Sequence, residues 1–209
     1  MKTPPRTVYV VDDDTSFLTA VTRLLRAGGY TVITCASATN FLRCSRTEEP
    51  ACAIVDLQMP GLTGLELQDA LAKMEDALPL IFLTGHGDIP TSVQAMRRGA
   101  EDFLTKPVKR ELLFDAVERA LARDATEREQ RARQQELRAR FDNLTPRERE
   151  VLAHLLSGKL NKQIASDLGT TERTIKAHRA NLLAKVAVQS MAELSRLALQ
   201  AGISVSDAR

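Results

Sequence analysis

The chain has 209 residues, of which 44% are apolar and 4% are aromatic, and its formal net charge at pH 7 is +2. No apolar run approaches the roughly 20 residues that a membrane-spanning helix requires, and the first residues, MKTPPR, lack the apolar segment of a signal peptide. These features argue against a membrane or secreted protein, so we expect a soluble cytoplasmic protein without a membrane partner.

Charge is distributed unevenly along the chain. Residues 1–122 carry 13 basic and 16 acidic side chains, residues 123–142 carry 6 and 5, and residues 143–209 carry 10 and 6. This asymmetry predicts an acidic first domain over 1–122 and a basic second domain over 143–209, joined by a charged helical linker over 123–142. A basic domain suits a polyanionic partner such as nucleic acid.

In the first domain, short β-rich runs alternate with amphipathic helical segments. The predicted strands are, in chain order, VYVV, TVITCAS, ACAIVD, LPLIFLT and EDFLTK. Between them the spacing predicts helices, such as SFLTAVTRLLRAGG, in which Leu18, Val21, Leu24 and Leu25 share one face. Five strands alternating with five helices predict an α/β fold, with a five-stranded parallel, doubly wound sheet covered by helices on both faces.

Polar residues stand at the carboxyl ends of four predicted strands. They are Asp12 and Asp13 after the first strand, Asp56 after the third, Thr84 after the fourth and Lys106 after the fifth. Because the carboxyl ends of parallel strands meet at one edge, these side chains should converge there. Part of the run of three aspartates, residues 12–14, could have an ordinary structural role, since Asp14 or Thr15 could cap the following helix. The joint placement nevertheless favours a functional site.

Clustered carboxylates attract a hard divalent cation, and Mg²⁺, or Mn²⁺ in its place, prefers oxygen ligands. With the cation between Asp13 and Asp56, the Asp56 carboxylate could attack a phosphoryl group as a nucleophile. Thr84 and Lys106 would then hold phosphoryl oxygens.

The three cysteines, Cys35, Cys44 and Cys52, form an odd set without a CxxC spacing or a nearby pair of histidines. This pattern argues against a disulfide framework and against a zinc site. We interpret the cysteines as small, mostly buried apolar residues.

The second domain is helical throughout. Thr145 to Glu148 form a predicted capping box that opens PREREVLAHLLS, and Ser190 to Glu193 form a second that opens AELSRLALQA. Asn161 is predicted to cap KQIASDL, and Gly169 to end it in the left-handed conformation. A short turn then leads to TERTIKAHRANLLAKV, which completes a helix-turn-helix pattern.

The motifs VVDDD, VDLQMPGLTG, LTGHGD and FLTKP resemble the receiver domain of two-component response regulators over essentially residues 6–122. The resemblance implies a flavodoxin-like fold and phosphorylation of Asp56 by a sensor histidine kinase. The implied metal ligands are Asp12, Asp13, Asp56 and Gln58, with Asp13 closer to the ion than Asp12. The implied phosphoryl-binding and switch residues are Thr84, Phe103 and Lys106. The resemblance also implies that Gln58 and His86, which stand where receivers vary, tune the lifetime of the aspartyl phosphate.

LTPREREVL and GKLNKQIASDLGTTERTIKAHRANLLAKV resemble the LuxR/FixJ-type DNA-binding domain, and the long linker is similar to that of FixJ-type regulators. The resemblance implies a transcription regulator, more often an activator, that binds double-stranded promoter DNA as a phosphorylation-induced homodimer and contacts RNA polymerase. No enzymatic activity is expected beyond the receiver's own phosphorylation and dephosphorylation. Ala180 stands where relatives often carry a polar base-reading residue, so the target sequence does not follow.

Helical spacing predicts that Lys176, Arg179 and Ala180 share one face of the recognition helix, with Ala177 and Ala180 allowing close approach to the groove. His178 is open to two interpretations, a DNA contact or a packed residue. Further predicted contacts, mainly to phosphates, are Asn161, Lys162, Thr171, Arg173, Thr174 and Lys185.

Two other functions compete with this interpretation. VYVVDDDTS also fits the haloacid-dehalogenase phosphatase pattern, with Asp12 as nucleophile and Asp14 as general acid, but this leaves Asp56 and the helix-turn-helix without a role. A transcription factor that senses a small molecule directly would need an apolar ligand pocket, of which the polar strand edge gives no sign.

Overall fold

The computed structural model describes residues 6–74, 77–85 and 89–203. The chain divides into two compact units, residues 1–128 and residues 129–209. Within the described ranges, every helix is too short or too polar to cross a lipid bilayer.

The first unit contains a five-stranded, entirely parallel sheet with the strand order β2-β1-β3-β4-β5. The strands are β1 Thr7–Val11, β2 Thr31–Cys35, β3 Ala51–Val55, β4 Leu80–Thr84 and β5 Asp102–Thr105. From β1 the chain first moves to one side of the sheet and then returns to the other, so the strand order switches between β1 and β3. This arrangement confirms the predicted doubly wound α/β fold, and it opens a crevice at the carboxyl ends of those strands.

Helices cover both faces of the sheet. They are α1 Thr15–Ala27, α2 Ala38–Arg43, α3 Gly64–Leu71, α4 Ile89–Arg97 and α5 Arg110–Asp142. Every residue of β1, β3 and β4 is buried, as expected for strands covered on both faces, whereas β2 at the edge buries only Val32 and Cys35. Residues 123–142, for which a helical linker is predicted, lie within α5.

Alternate residues along each strand enter two separate cores. Tyr9 and Phe82 belong to one core, together with the side chain of Phe41 from α2. Val8 and Ile81 point to the opposite face and pack with residues of α1 and α5. This alternation follows from the two-residue period of a strand, and it leaves the strand ends free to carry polar side chains.

In the described part of the second unit, four helices follow the end of α5. They are α6 Pro146–Leu156, α7 Asn161–Asp167, α8 Glu172–Val186 and α9 Met191–Gln200. Ile164 of α7, Ile175 and Leu182 of α8 and Leu194 of α9 are fully buried in a common core. These short helices are thus stabilised mainly by the packing of their apolar side chains against one another.

The helix ends confirm some predicted caps and correct others. Thr145 and Glu148 form the predicted capping box, and Gly169 adopts a φ of 61° after α7. Asn161 is not the cap of α7, because the helix begins at Asn161 itself and the Gln163 side chain accepts the N–H of Leu160. Ser190 caps α9, but the box is incomplete: Glu193 accepts from the N–H of Gln189.

Candidate functional site

The three consecutive aspartates after β1 occupy three different environments. Asp12 is only 2% exposed, and its Oδ1 accepts the N–H of Asp14 at 2.9 Å. Asp13 is exposed. Asp14 caps α1, because its Oδ1 accepts the backbone N–H groups of Ser16 and Phe17. The capping interpretation is therefore correct for Asp14, and the functional interpretation of Asp12 and Asp13 stays a prediction.

Lys106 joins the carboxylates that end β1 and β3. Its Nζ donates to Asp12 Oδ2 at 2.5 Å and to Asp56 Oδ1 at 3.0 Å. Its backbone N–H donates to the carbonyl of Thr84 at 2.8 Å, and the bond to Pro107 is cis. Four strand ends thus meet at one edge of the sheet, as the alternation of strands and helices predicts.

Burial and charge act against each other at this edge. Burial raises the pKa of the Asp12 carboxyl above its ordinary value of 3.8, even though the Lys106 ammonium favours the charged form. For Lys106, burial alone would lower the pKa, but the hydrogen bonds to Asp12 and Asp56 outweigh it and the pKa is raised. A cationic lysine thus offsets the repulsion between two buried carboxyl groups, and the site favours further positive charge.

Backbone contacts hold the Asp56 carboxylate in place. Asp56 is 7% exposed, and its Oδ2 accepts the N–H of Gln58 at 2.7 Å. Gly64 begins α3 directly beneath this loop, and a Cβ added there would lie 2.5 Å from the carbonyl oxygen of Asp56. Only a residue without a side chain allows that approach. Sequence reasoning missed Gly64, although a glycine shortly after a strand-end aspartate is a readable signal.

The aromatic residues near the edge differ in role. Phe17 of α1 lies under Lys106, whose Nζ is 3.9 Å from the ring centroid, and this cation–π contact was also missed from sequence. Phe103 is partly buried, with its ring 6.2 Å from that of Phe82.

Thr84 is 1% exposed at the end of β4. His86 lies outside the described residues.

The predicted metal ligands are only partly brought together. Asp12 and Asp56 converge on one nitrogen atom, but within residues 6–74, 77–85 and 89–203 no group of three or more His, Cys, Asp or Glu side chains is arranged to hold a metal ion. The ammonium of Lys106 stands between the two buried carboxylates, and Asp13 is exposed. The donor set nevertheless fits Mg²⁺, because it consists of carboxylate oxygens at an edge with excess negative charge.

In the second unit, α8 presents one polar face and one buried face. Ile175, Leu182 and Val186 are buried, so the opposite face is open. The exposed residues on that face are Arg173, Lys176, Ala177, Ala180, Asn181 and Ala184. Lys176 is 66% exposed in its side chain and makes only a loose ion pair with Glu172, at 3.4 Å. Asn181 was not among the predicted contacts, although its spacing from Ala177 would have included it.

Arg179 differs from the prediction. It does not share the open face with Lys176 and Ala180, because it is partly buried on the side of α8 that faces α9. There it lines a cavity of about 330 Å³ together with Leu160 and Met191. Arg179 follows Ile175 by about one helical turn, so it lies beside the buried stripe of α8 rather than on the open face.

Several other predicted DNA contacts already have partners within the protein. Thr171 caps α8 by accepting the N–H of Thr174, and the two hydroxyl groups lie 2.9 Å apart. Lys185 donates to Glu148 Oε2 at 2.7 Å. Asn161 is half-buried and Lys162 is exposed at the start of α7. Among the described residues, α8 and the start of α7 thus present Arg173, Lys176 and Lys162 as exposed basic side chains.

Two family models match the chain. Residues 8–118 match the response regulator receiver domain, and residues 142–198 match the bacterial regulatory proteins of the luxR family. The chain belongs to the response regulators.

The relatives of this response regulator match over nearly its whole length. Nodulation protein W of Bradyrhizobium diazoefficiens is 40% identical over 95% of this chain and 88% of its own. The transcriptional regulatory protein FixJ of Azorhizobium caulinodans is 39% identical over 96% of this chain and 95% of its own. Among solved structures, the response regulator StyR matches with a TM-score of 0.74 and 43% identity over 94% of this chain and 99% of its own.

The response regulator is therefore a phosphorylation-dependent transcription regulator with a receiver domain and a LuxR-type DNA-binding domain. Relatives of this kind are transcription factors rather than conventional enzymes, and a receiver joined to a DNA-binding domain implies a histidine kinase and DNA as partners. The phosphatase alternative is not favoured. It requires Asp14 as a general acid, but in this response regulator Asp14 caps α1, and its Oδ1 accepts two N–H groups of that helix.

Proposed function

We propose that Asp56 is the phosphoacceptor of this response regulator and that Lys106 and Thr84 bind the transferred phosphoryl group. The observation that carries the proposal is the convergence of the Asp12 and Asp56 carboxylates on Lys106 Nζ, at 2.5 and 3.0 Å. A carboxylate held by Gln58 N–H and a lysine, at a strand edge beside a second carboxylate, is suited to nucleophilic attack on phosphorus.

Asp56 and Lys106 then have different roles in phosphoryl transfer. Asp56 supplies the oxygen that forms the new O–P bond, and the P–N bond to the kinase histidine breaks. Lys106 moves its hydrogen bond from Asp56 Oδ1 to a phosphoryl oxygen, which keeps the buried charge balanced. Hydrolysis reverses the modification: water attacks phosphorus, the O–P bond breaks, and inorganic phosphate leaves a free carboxylate.

The proposed metal ligands are Asp12, Asp13, Asp56 and Gln58. Mg²⁺, when bound, neutralises the charge of the incoming phosphoryl group. Burial raises the pKa of Asp12 despite the Lys106 ammonium, so a further cation would stabilise its carboxylate form, in support of this assignment.

Phosphorylation is proposed to favour a homodimer through α4, β5 and α5. The support is a row of exposed apolar side chains on α4, where Ile89 is 79%, Val93 43% and Met96 45% exposed, together with Leu112 of α5 at 52%. Exposed apolar rows of this kind commonly mark interaction surfaces. Phe103 of β5 lies beside this face and would couple it to the strand edge.

The proposed target is double-stranded promoter DNA in the cytoplasm, with transcription activated through RNA polymerase. The open face of α8 would enter the major groove, with Lys176 and Asn181 at base edges or phosphates and Arg173 at the backbone. A dimer presents two such helices, so phosphorylation raises the affinity for paired half-sites through effective concentration.

The phosphoacceptor is tested by incubating the protein with acetyl phosphate and Mg²⁺ and mapping acid-labile phosphate by mass spectrometry. One phosphate per chain on Asp56 is expected, and Asp56→Asn should abolish it. Asp115→Asn, which changes an exposed aspartate of α5, is the matched control and should behave as the unchanged protein. Phosphate on another residue, or full labelling of Asp56→Asn, would refute the assignment.

The dimer is tested by sedimentation with and without beryllofluoride, which mimics the aspartyl phosphate. Val93→Glu should keep the activated protein monomeric, because a charge is placed within the proposed apolar contact. Met74→Glu is the matched control, since Met74 is similarly exposed, at 44%, but follows α3. Equal dimerisation of the two variants would exclude the α4 face.

A further inference from the structure

Two free thiols lie in contact close to the carboxylate edge. Cys35 is the last residue of β2 and Cys44 directly follows α2, and their Sγ atoms are 3.4 Å apart. A disulfide bond has a length of about 2.05 Å, so the sulfurs need to approach by roughly 1.4 Å to bond. Spacing along the chain gave no sign of this pair, because the two residues belong to different elements.

The pair combines a buried sulfur with a more accessible one. Cys35 is 3% exposed, whereas Cys44 is partly exposed. Cys44 has extended backbone geometry after a helix of six residues and is followed by a segment without helix or strand. Its main chain is therefore outside the regular elements, and the neighbouring Ser45 carbonyl accepts the hydroxyl of Tyr9 at 3.1 Å.

Arg46 adds positive charge beside the pair. Its guanidinium carbon lies 4.3 Å from the ring centroid of Phe41, the α2 residue whose carbonyl accepts the N–H of Cys44. Burial raises the pKa of the Cys35 thiol to about 12 despite Arg46, which leaves the more accessible Cys44 as the first sulfur to meet an oxidant. A partly exposed thiol with a second thiol in contact is the arrangement of redox-sensing cysteines.

We propose that Cys35 and Cys44 form a redox pair that a peroxide converts to an intramolecular disulfide bond. The Cys44 thiolate attacks one peroxide oxygen, the O–O bond breaks, and the departing oxygen takes up a proton to leave as water or an alcohol. Cys44 is then a sulfenic acid. The Cys35 sulfur attacks the Cys44 sulfur, the S–S bond forms, and the S–O bond breaks with loss of water that carries the Cys35 proton. One peroxide thus removes two electrons from the two thiols.

The disulfide bond acts directly on the proposed phosphoacceptor edge. The carbonyl of Cys35 accepts the N–H of Asp12 at 3.1 Å, so a shift at the end of β2 is transmitted to the residue that binds Lys106. We expect the oxidised protein to accept phosphate at a different rate from the reduced protein. This consequence, unlike the disulfide bond itself, rests on the proposed function.

The disulfide bond is tested by treating the full-length protein with hydrogen peroxide and mapping its tryptic peptides without reduction. Trypsin places the three cysteines in separate peptides, 27–43, 44–46 and 47–73. We expect 27–43 linked to 44–46, with free thiols falling from three to one per chain. Cys44→Ser should abolish the link, and Cys52→Ala should retain it. Sulfinic acid on Cys44 without a link, or a link that involves Cys52, would overturn the proposal.

The consequence is measured as the rate of labelling by acetyl phosphate before and after oxidation. A changed rate that dithiothreitol restores, and that is absent in Cys44→Ser, supports transmission through Asp12; an unchanged rate refutes it. Mapping is repeated in Asp56→Asn, which cannot take phosphate at that position. A link that forms there supports the redox pair independently, even if the phosphoacceptor assignment fails.

Discussion

Lys185 offers a sharp test because sequence and tertiary contacts assign it different roles. The sequence predicts a phosphate contact, but Lys185 Nζ donates to Glu148 Oε2 at 2.7 Å. Glu148 is only 3% exposed, and the same oxygen accepts the N–H of Thr145 at 2.8 Å. The pair therefore joins the start of α6 to the end of α8. We expect Lys185→Met to destabilise the second unit and to leave the salt dependence of DNA binding unchanged.

The expected loss in the free energy of unfolding depends on the hydrogen bonds that Glu148 retains in Lys185→Met. A hydrogen bond to a charged group contributes about 1.5–3 kcal/mol, and breaking a fully buried ion pair costs about 3–5 kcal/mol. The cost is smaller here, because the Lys185 side chain is 38% exposed and Glu148 retains the Thr145 donors. The free energy of unfolding should fall by about 2 kcal/mol, which lowers Tm by roughly 8–16 °C for a domain of this size.

Unfolding of the second unit can be followed in urea by the NMR signals of His154 and His178, its two histidines. Lys162→Met is the matched control, since Lys162 is exposed at the start of α7. It should change stability by less than about 0.5 kcal/mol, but reduce the slope of log K against log salt by about 0.9 if it contacts a phosphate. If Lys185→Met shows that pattern instead, the scaffold role is wrong.

The pH dependence of the second unit provides a second check on this pair. Burial alone would raise the pKa of Glu148, but the hydrogen bonds from Lys185 and Thr145 outweigh it and hold the pKa below 4.5. A carboxyl group with a lowered folded pKa stabilises the fold fully above its unfolded pKa. That contribution is lost as the pH falls from about 4.5 through the lower folded value. Glu148→Gln should make unfolding of this unit less dependent on pH in that window.

Three further predictions concern the backbone. Ala187 ends α8 with a φ of 59°, so Ala187→Gly should raise the free energy of unfolding by about 0.5–1 kcal/mol in urea, and a decrease would contradict the strain. Gly64→Ala should cost about 1–3 kcal/mol and slow phosphate labelling, because its Cβ meets the Asp56 carbonyl; unchanged labelling would argue against that contact. Asp124→Ala should lower the free energy of unfolding, followed by circular dichroism, by about 1–3 kcal/mol, because it leaves the Ala51 N–H without its acceptor; a negligible loss would contradict that role.

The parts of the fold that could be predicted from the sequence are those that depend on local residue patterns. Alternation of strands and helices determined the parallel sheet, because a strand buried on both faces must be apolar and each crossover needs a helix. Polar residues at strand ends determined which side chains would meet, since all parallel strands end at the same edge. Capping motifs such as Thr145 with Glu148 are likewise local, and their hydrogen bonds form within one turn of helix.

Contacts between distant segments were decided only by the tertiary structure. The sequence did not distinguish the buried Asp12 from the exposed Asp13, because that difference depends on where Lys106 lies. The 3.4 Å approach of Cys35 and Cys44 was likewise hidden, since it depends on how α2 packs beside β2. Periodicity reports which face of an element is apolar, whereas pairing depends on the packed arrangement of whole elements, which no short stretch of sequence contains.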